Sequence, residues 1–180
     1  MRELSLNVMD IVQNSVRAGA SLITVQVAES KKHDTLTITI TDNGCGMSAE
    51  QVKSVIDPFF TTRTTRKVGL GVPLFKMEAE MTGGSFQIDS EKGKGTKVTA
   101  VFRPSHVDMI PLGDIASVIH LLITCNPDFL FTHSVEEKEI TLDTRTLREQ
   151  LEGVPFTEPE VSAWIREYLA EAEEELKQLS

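Results

Sequence analysis

Apolar positions at the start of the chain recur at helical spacing. Leu4, Val8, Ile11, Val12 and Val16 share one face of a 3.6-residue repeat, and Gly19 follows as a stop, which predicts a helix over 3–18. The period then changes. Leu22 to Ala28 is rich in β-branched residues, and Leu36, Ile38 and Ile40 alternate with Thr35, Thr37, Thr39 and Thr41. Two strands flanking the polar turn Lys31–Asp34 follow from that alternation. Ser48 with Gln51 three residues later is a capping-box pattern. It opens a short helix over 49–57 that stops at Pro58. Residues 59–69 show no period and read as a loop, and a helix over 71–82 ends at Gly83-Gly84. Strands near 85–89 and 97–102 flank a turn at Glu91–Gly95, and Pro104 marks a boundary. Beyond it the pattern predicts a helix over 113–125, a hairpin of 129–134 with 138–143, and closing helices near 144–152 and 159–178.

Composition adds little to this picture, and charge adds more. Hydrophobic content of 40% and charged content of 25% are ordinary for a globular chain of 180 residues. The longest apolar run, Ile115–Thr124, is shorter than a bilayer span. No secretory leader is visible, and Cys45 and Cys125 lie far apart, so a cytoplasmic setting with reduced thiols is expected. Residues 1–104 hold 13 Lys/Arg and 11 Asp/Glu, a net of +2. Residues 105–180 hold 5 and 16, a net of −11. An acidic surface of that kind argues against a nucleic-acid partner. The division at Pro104 separates two units: 1–104, and an acidic α+β extension, 105–180.

Four polar or glycine-bearing elements carry chemistry. Asp42-Asn43-Gly44-Cys45-Gly46 follows a strand directly. Its carboxylate can accept a hydrogen bond from an exocyclic amine such as that of adenine, while alternate glycines let backbone approach a flat ligand. Gly69-Leu70-Gly71 opens a helix, where free backbone N–H groups favour anions. Gly93-Lys94-Gly95-Thr96 leads into a strand. Neither a Rossmann fingerprint nor a P-loop is present, since position 74 is Leu and Gly93-Lys94 is followed by Gly95. On the first helix, Asn7, Asp10, Asn14 and Arg17 form a polar stripe. There an acid and an amide four residues apart can present oxygens to one Mg²⁺ and its waters.

Taken in order, Asp10–Ala20, Asp42-x-Gly44-x-Gly46, Phe59-Phe60, Gly69-x-Gly71 and Gly93-x-Gly95-Thr96 resemble the nucleotide-binding boxes of the GHKL ATPases. That superfamily includes DNA gyrase, heat-shock chaperones, sensor histidine kinases and mismatch-repair ATPases. The first box is close to the mismatch-repair form; the stretch from Asp57 onward is more similar to histidine kinases. The resemblance covers about residues 3–103. It implies an α/β sandwich of the Bergerat type, a mixed and largely antiparallel sheet with helices on one face. It also implies ATP bound with Mg²⁺ beneath a lid loop.

By this resemblance Asp42 would hold the adenine amine with Thr96 in support, and Asn14 would coordinate Mg²⁺. Gly44 and Gly46 would allow the nucleotide to approach, and Arg17 would reach the phosphates. Gly69, Leu70 and Gly71 would offer backbone N–H groups, and Arg63, Arg66 and Lys67 would be lid contacts to phosphate. Asp10 occupies the position at which the ATPase branches carry a water-activating Glu, one methylene longer. The implied activity is that of an ATP-dependent regulatory protein kinase, similar to anti-sigma-factor kinases or an orphan kinase module. The alternatives are a slow ATPase switch and a non-catalytic nucleotide sensor or scaffold. A protein partner is expected at residues 105–180, a membrane partner is not, and a homodimer fits the same resemblance. His106, with Pro111-Leu112 five and six residues on, resembles a phosphoacceptor box, from which Val107 and Met109 depart. A packing or partner-binding role for 105–180 is the preferred reading.

Overall fold

The structure is a computed structural model, and it describes residues 2–59 and 71–178. The first helix, α1 (Leu4–Arg17), buries Leu4, Val8, Ile11 and Val12, the face its spacing predicts. Next come β1 (Leu22–Ser30), β2 (Thr35–Asp42), α2 (Ala49–Ile56) and α3 (Gly71–Met81). They are followed by β3 (Ser85–Glu91), β4 (Gly95–Phe102), α4 (Ile115–Leu122), β5 (Asp128–Val135) and β6 (Lys138–Asp143), and then by α5 (Thr144–Gln150) and α6 (Pro159–Lys177). The predicted capping box is present at α2: the Ser48 hydroxyl accepts from the Gln51 N–H, and the Gln51 side chain accepts from the Ser48 N–H.

Among the described residues the strands form one sheet in the order β3-β4-β2-β1-β5-β6. The pairing is antiparallel except between β1 and β5, which run parallel. Register aligns the apolar sets: Ile23 opposes Phe129, Val25 opposes Phe131 and Ile40, and Ile38 opposes Ala100. All of these are buried on one face. Helices cover that face. The other carries the alternate threonines, which suit a half-exposed pleated surface. The fold is thus the α/β sandwich expected, with a mixed, largely antiparallel sheet.

Residues after 104 are built onto the same sheet. Without β5 and β6, β1 would end the sheet with a row of unpaired backbone groups. The N-terminus of α1 is tied to the later segment as well. Leu4 N–H donates to Pro111 C=O at 2.9 Å and Ser5 N–H to Leu112 C=O at 2.9 Å, satisfying two donors that a helix start leaves open. Ile115, Ile119, Phe129, Phe131 and Ile165 join α1, β1 and β2 in one apolar cluster. At the far end of β5, His133 is buried between two carboxylates. Its Nδ1 lies 2.6 Å from Glu173 of α6, and its Nε2 lies 2.6 Å from Glu29 of β1.

Candidate functional site

Asn14, Asp42, Gly46 and Thr96 come together at the C-terminal end of β2. A cavity of about 420 Å³ opens there. Its walls include Ile11 and Asn14 of α1, Ile40 and Asp42 of β2, Met47 and Val55 around α2, and Ile88, Thr96 and Val98 from β3 and β4. The lining is mostly apolar, with a few convergent polar groups, as in small-molecule sites generally.

Asp42 is fixed at both carboxylate oxygens. Oδ2 accepts from the Ser15 hydroxyl at 2.5 Å, and Oδ1 accepts from the Gly44 N–H at 2.9 Å. Ser15 is a buried residue on the apolar side of α1. It was missed from sequence, although it interrupts the series Val8, Ile11, Val12 where an apolar residue is due. Thr96 lies directly across from Asp42 in the β2–β4 register. Its hydroxyl meets the Ser90 hydroxyl at 2.8 Å, and Ser90 accepts from the Met47 N–H at 2.8 Å, so Thr96 steadies the far rim of the cavity. Asn43 has a role the sequence did not reveal. Its Oδ1 accepts from the N–H groups of Ser21 and Leu22, clamping the turn to the start of β1.

The glycines of this turn are needed where backbone meets backbone. Gly46 has φ +68°, and a Cβ there would sit 2.0 Å from the Glu91 carbonyl oxygen. Gly95 has φ +119°, and its Cβ would lie 2.0 Å from the Asp42 carbonyl oxygen. A Cβ on Gly44 would come within 2.8 Å of Ala18 Cβ. The two glycine turns therefore lock to each other and to the end of α1, with Cys45 N–H donating to Ala18 C=O and Gly93 N–H to Cys45 C=O. Gly46→Ala is expected to destabilise the protein by about 2 kcal/mol or more, from left-handed strain and the backbone clash together. A denaturant midpoint unchanged from wild type would contradict this.

Of the polar stripe on α1, Asn14 lines the cavity and Arg17 reaches it indirectly, donating from Nη1 to Asn14 Oδ1 at 3.4 Å. Asp10 is exposed one turn earlier and lies against Gly71, where a Cβ would meet the Asp10 Cβ at 3.1 Å. Asp10 thus sits beside the start of α3. Asn7 does not belong with them. It is buried, and its amide donates to Glu78 Oε2, a carboxylate that also pairs with Arg2 at 3.2 Å. Desolvation pushes the Glu78 carboxyl above its ordinary range, against the opposing effects of Arg2 and the Asn7 hydrogen bond. The lid candidates Arg63, Arg66 and Lys67, together with Gly69 and Leu70, lie outside the described residues.

His106 is remote from this cavity. It follows β4 at the end opposite Thr96, and the strand between them is about 20 Å long at the usual rise per residue. The imidazole is turned locally, its Nδ1 accepting from the Asp108 N–H at 3.0 Å.

Comparison with known proteins bears on the same residues. Residues 2–106 match the family model described as histidine kinase-, DNA gyrase B- and HSP90-like ATPase. Among curated proteins, the chain is 33% identical over 95 residues to the heme sensor protein HssS of Staphylococcus saprophyticus, covering 52% of this chain and 21% of that one. It is 30% identical over 91 residues to the sensor histidine kinase ZraS of Escherichia coli, covering 51% and 20%. With the sensor protein DegM of a Bacillus species it shares 36% identity over 90 residues, covering 50% and 24%. The chain spans only about a fifth to a quarter of the length of these relatives. A solved structure, the N-terminal domain of a DNA repair protein, superposes with a TM-score of 0.53 at 13% identity, covering 79% of this chain and 53% of that one. That likeness concerns fold alone, and it extends beyond the stretch matched by the family model. Among the described residues no helix is long and apolar enough to cross a membrane. The match over more than half of the chain falls on the turns and helix ends that enclose the Asp42 cavity, and the chain belongs to the family of histidine kinase-, DNA gyrase B- and HSP90-like ATPases.

Proposed function

We propose that this protein binds Mg-ATP in the Asp42 cavity and uses it as a histidine-kinase-like regulator of a protein partner, acting in the cytoplasm. The observation that carries the reading is the Asp42 carboxylate, held at both oxygens by Ser15 and Gly44 beside apolar walls. A carboxylate so held accepts a hydrogen bond from an amine in the plane of a base without reorganising. Ile11, Ile40, Val55, Ile88 and Val98 supply apolar surface for the ring. The close-packed glycine turns keep side chains off its edge.

The donor set suits magnesium. The ion keeps several waters and shares phosphate oxygens, so it needs few protein ligands. Asn14 would supply an amide oxygen, and Asp10 one turn away would hold the metal's waters. Arg17 would face the phosphates, with Arg63, Arg66, Lys67 and the N–H groups of Gly69, Leu70 and Gly71 closing over them. Residues 105–180 would meet the partner.

Purified protein incubated with γ-labelled ATP tests the reading. Label appearing on protein supports a kinase, free phosphate supports an ATPase switch, and neither outcome leaves a nucleotide sensor. The position of Asp10 beside the start of α3 favours a second reading, in which ATP hydrolysis resets the shape of the protein. Asp10→Asn separates the two. A general base contributes about 10²–10⁴-fold, so loss of turnover on that scale with ATP affinity intact would mark Asp10 as the base. We expect instead slow hydrolysis in the wild type, and weaker Mg-ATP binding in Asp10→Asn with hydrolysis falling in proportion.

A further inference from the structure

The single Trp and single Tyr of the chain stand side by side on the surface. Trp164 is 51% exposed and Tyr168 is 38% exposed, one helical turn apart on α6. Their rings stack with centroids 5.7 Å apart and planes 13° from parallel. The Tyr168 hydroxyl reaches the Thr141 carbonyl of β6 at 3.5 Å, so the pair is set against the edge of the sheet. The inward side of the helix is already used: Ile165, Leu169 and Leu176 are buried, and Glu173 holds His133. Along the outward side, Glu160, Trp164, Tyr168, Glu171 and Glu175 follow one another at steps of three and four residues, Glu167 lies three residues after Trp164, and all are exposed.

We propose that this outward stripe of α6 is a docking face for an arginine- or lysine-bearing segment of a partner protein. The inference rests on the reading that residues 105–180 meet a protein partner, and it names the face and the chemistry of that contact. Aromatic faces attract guanidinium and ammonium groups, and do so more strongly once water is excluded. The flanking carboxylates offer the matching ion pairs and steer approach. Trp and Tyr are the side chains on which binding energy concentrates at interfaces. The sign of the charge decides among occupants. Residues 105–180 carry a net of −11, so a second copy of this face, a nucleic acid or an anionic lipid surface would be repelled.

Because Trp164 is the only tryptophan, its fluorescence in the unaltered full chain reports on the face directly. The probe is a short peptide of alternating alanine and arginine, with an alanine–glutamate peptide and phosphatidylcholine vesicles alongside. The arginine peptide is expected to change Trp164 emission saturably, and the glutamate peptide and vesicles to leave it unchanged. By calorimetry, the paired change Trp164→Ala with Tyr168→Ala should weaken the arginine peptide about tenfold or more, and Trp164→Phe should restore most of the loss. Glu160→Gln with Glu167→Gln and Glu171→Gln should flatten the salt dependence of binding. Equal affinity for wild type and the aromatic double variant would overturn the proposal, because acidity alone would then explain binding. A Trp164 response to vesicles but not to peptide would overturn it in favour of a lipid contact. Hydrogen exchange separates this failure from failure of the broader reading. Protection of α4 or β6 in place of α6 removes this face but keeps a partner site after residue 104, whereas no protection beyond residue 104 removes both. ATP affinity, measured on the same samples, tests the Asp42 cavity independently.

Discussion

Asp42→Asn is expected to lower ATP affinity roughly ten- to a hundred-fold while leaving the fold intact. The carboxylate now accepts from Ser15 at one oxygen and Gly44 N–H at the other, and both oxygens keep further lone pairs for a ligand. An amide has one acceptor oxygen, so it cannot reproduce both contacts. It also lacks the charge that makes such a bond strong, a difference of about 1.5–3 kcal/mol. Ser15→Ala should act in the same direction with a smaller effect, because it frees the carboxylate to turn without removing it. Isothermal calorimetry with ATP and with adenosine checks this. Loss for both ligands places Asp42 at the base; unchanged affinity for both would remove the nucleotide assignment of the cavity.

The second large effect concerns His133, away from the cavity. Both ring nitrogens lie 2.6 Å from carboxylate oxygens, Nδ1 from Glu173 and Nε2 from Glu29. Ionised carboxylates only accept hydrogen bonds, and an imidazole donates at both nitrogens only when protonated. Burial alone would push the imidazolium pKa down. The hydrogen bonds and charges of Glu173 and Glu29 outweigh burial and raise it to about 9. A folded pKa above the ordinary 6.5 means that protonation stabilises the fold. That contribution is fully present below about pH 6.5 and is lost as pH rises through about 9. Its size is of the order of 3 kcal/mol at most.

Melting temperature should therefore fall across this window, by of the order of 10 °C for a domain of this size. His133→Gln should remove the step and lower stability at neutral pH by up to about 3 kcal/mol, since the buried Glu173 and the half-buried Glu29 would face each other without a cation. The triad joins α6, β5 and β1, so loosening should begin where α6 meets the sheet. A melting temperature equally flat from pH 6 to 10 in wild type and variant would show that the histidine is not charged in the fold.

Much of the architecture is legible in the order of residues. The switch from a 3.6-residue to a two-residue period at Leu22, the threonine alternation of β2 and the Ser48–Gln51 cap are local signals, and local backbone preferences answer them directly. The glycine turns are legible for the same reason. Only residues without a Cβ fit such turns, so Gly44, Gly46 and Gly95 mark close approach even before the neighbours are known.

The rest depends on contacts between distant segments. Nothing in residues 128–135 announces that they will lie parallel to residues 22–29; that register follows from burying Phe129 and Phe131 beside Ile23 and Val25 while pairing the open edge of β1. Ser15 reads as a neutral helix residue until the end of β2 brings Asp42 against it. Asn7 reads as one of a polar stripe until Glu78 draws it inward. His133 is one polar residue in an otherwise apolar-alternating strand until Glu29 and Glu173, 104 and 40 residues away, close on both its nitrogens. The sequence alone determines which segments can be helix, strand or glycine turn, because those choices depend on near neighbours. Which polar groups end up buried, charged and aimed at a cavity is decided only by the tertiary fold, because desolvation and hydrogen bonding depend on what the folded chain brings together.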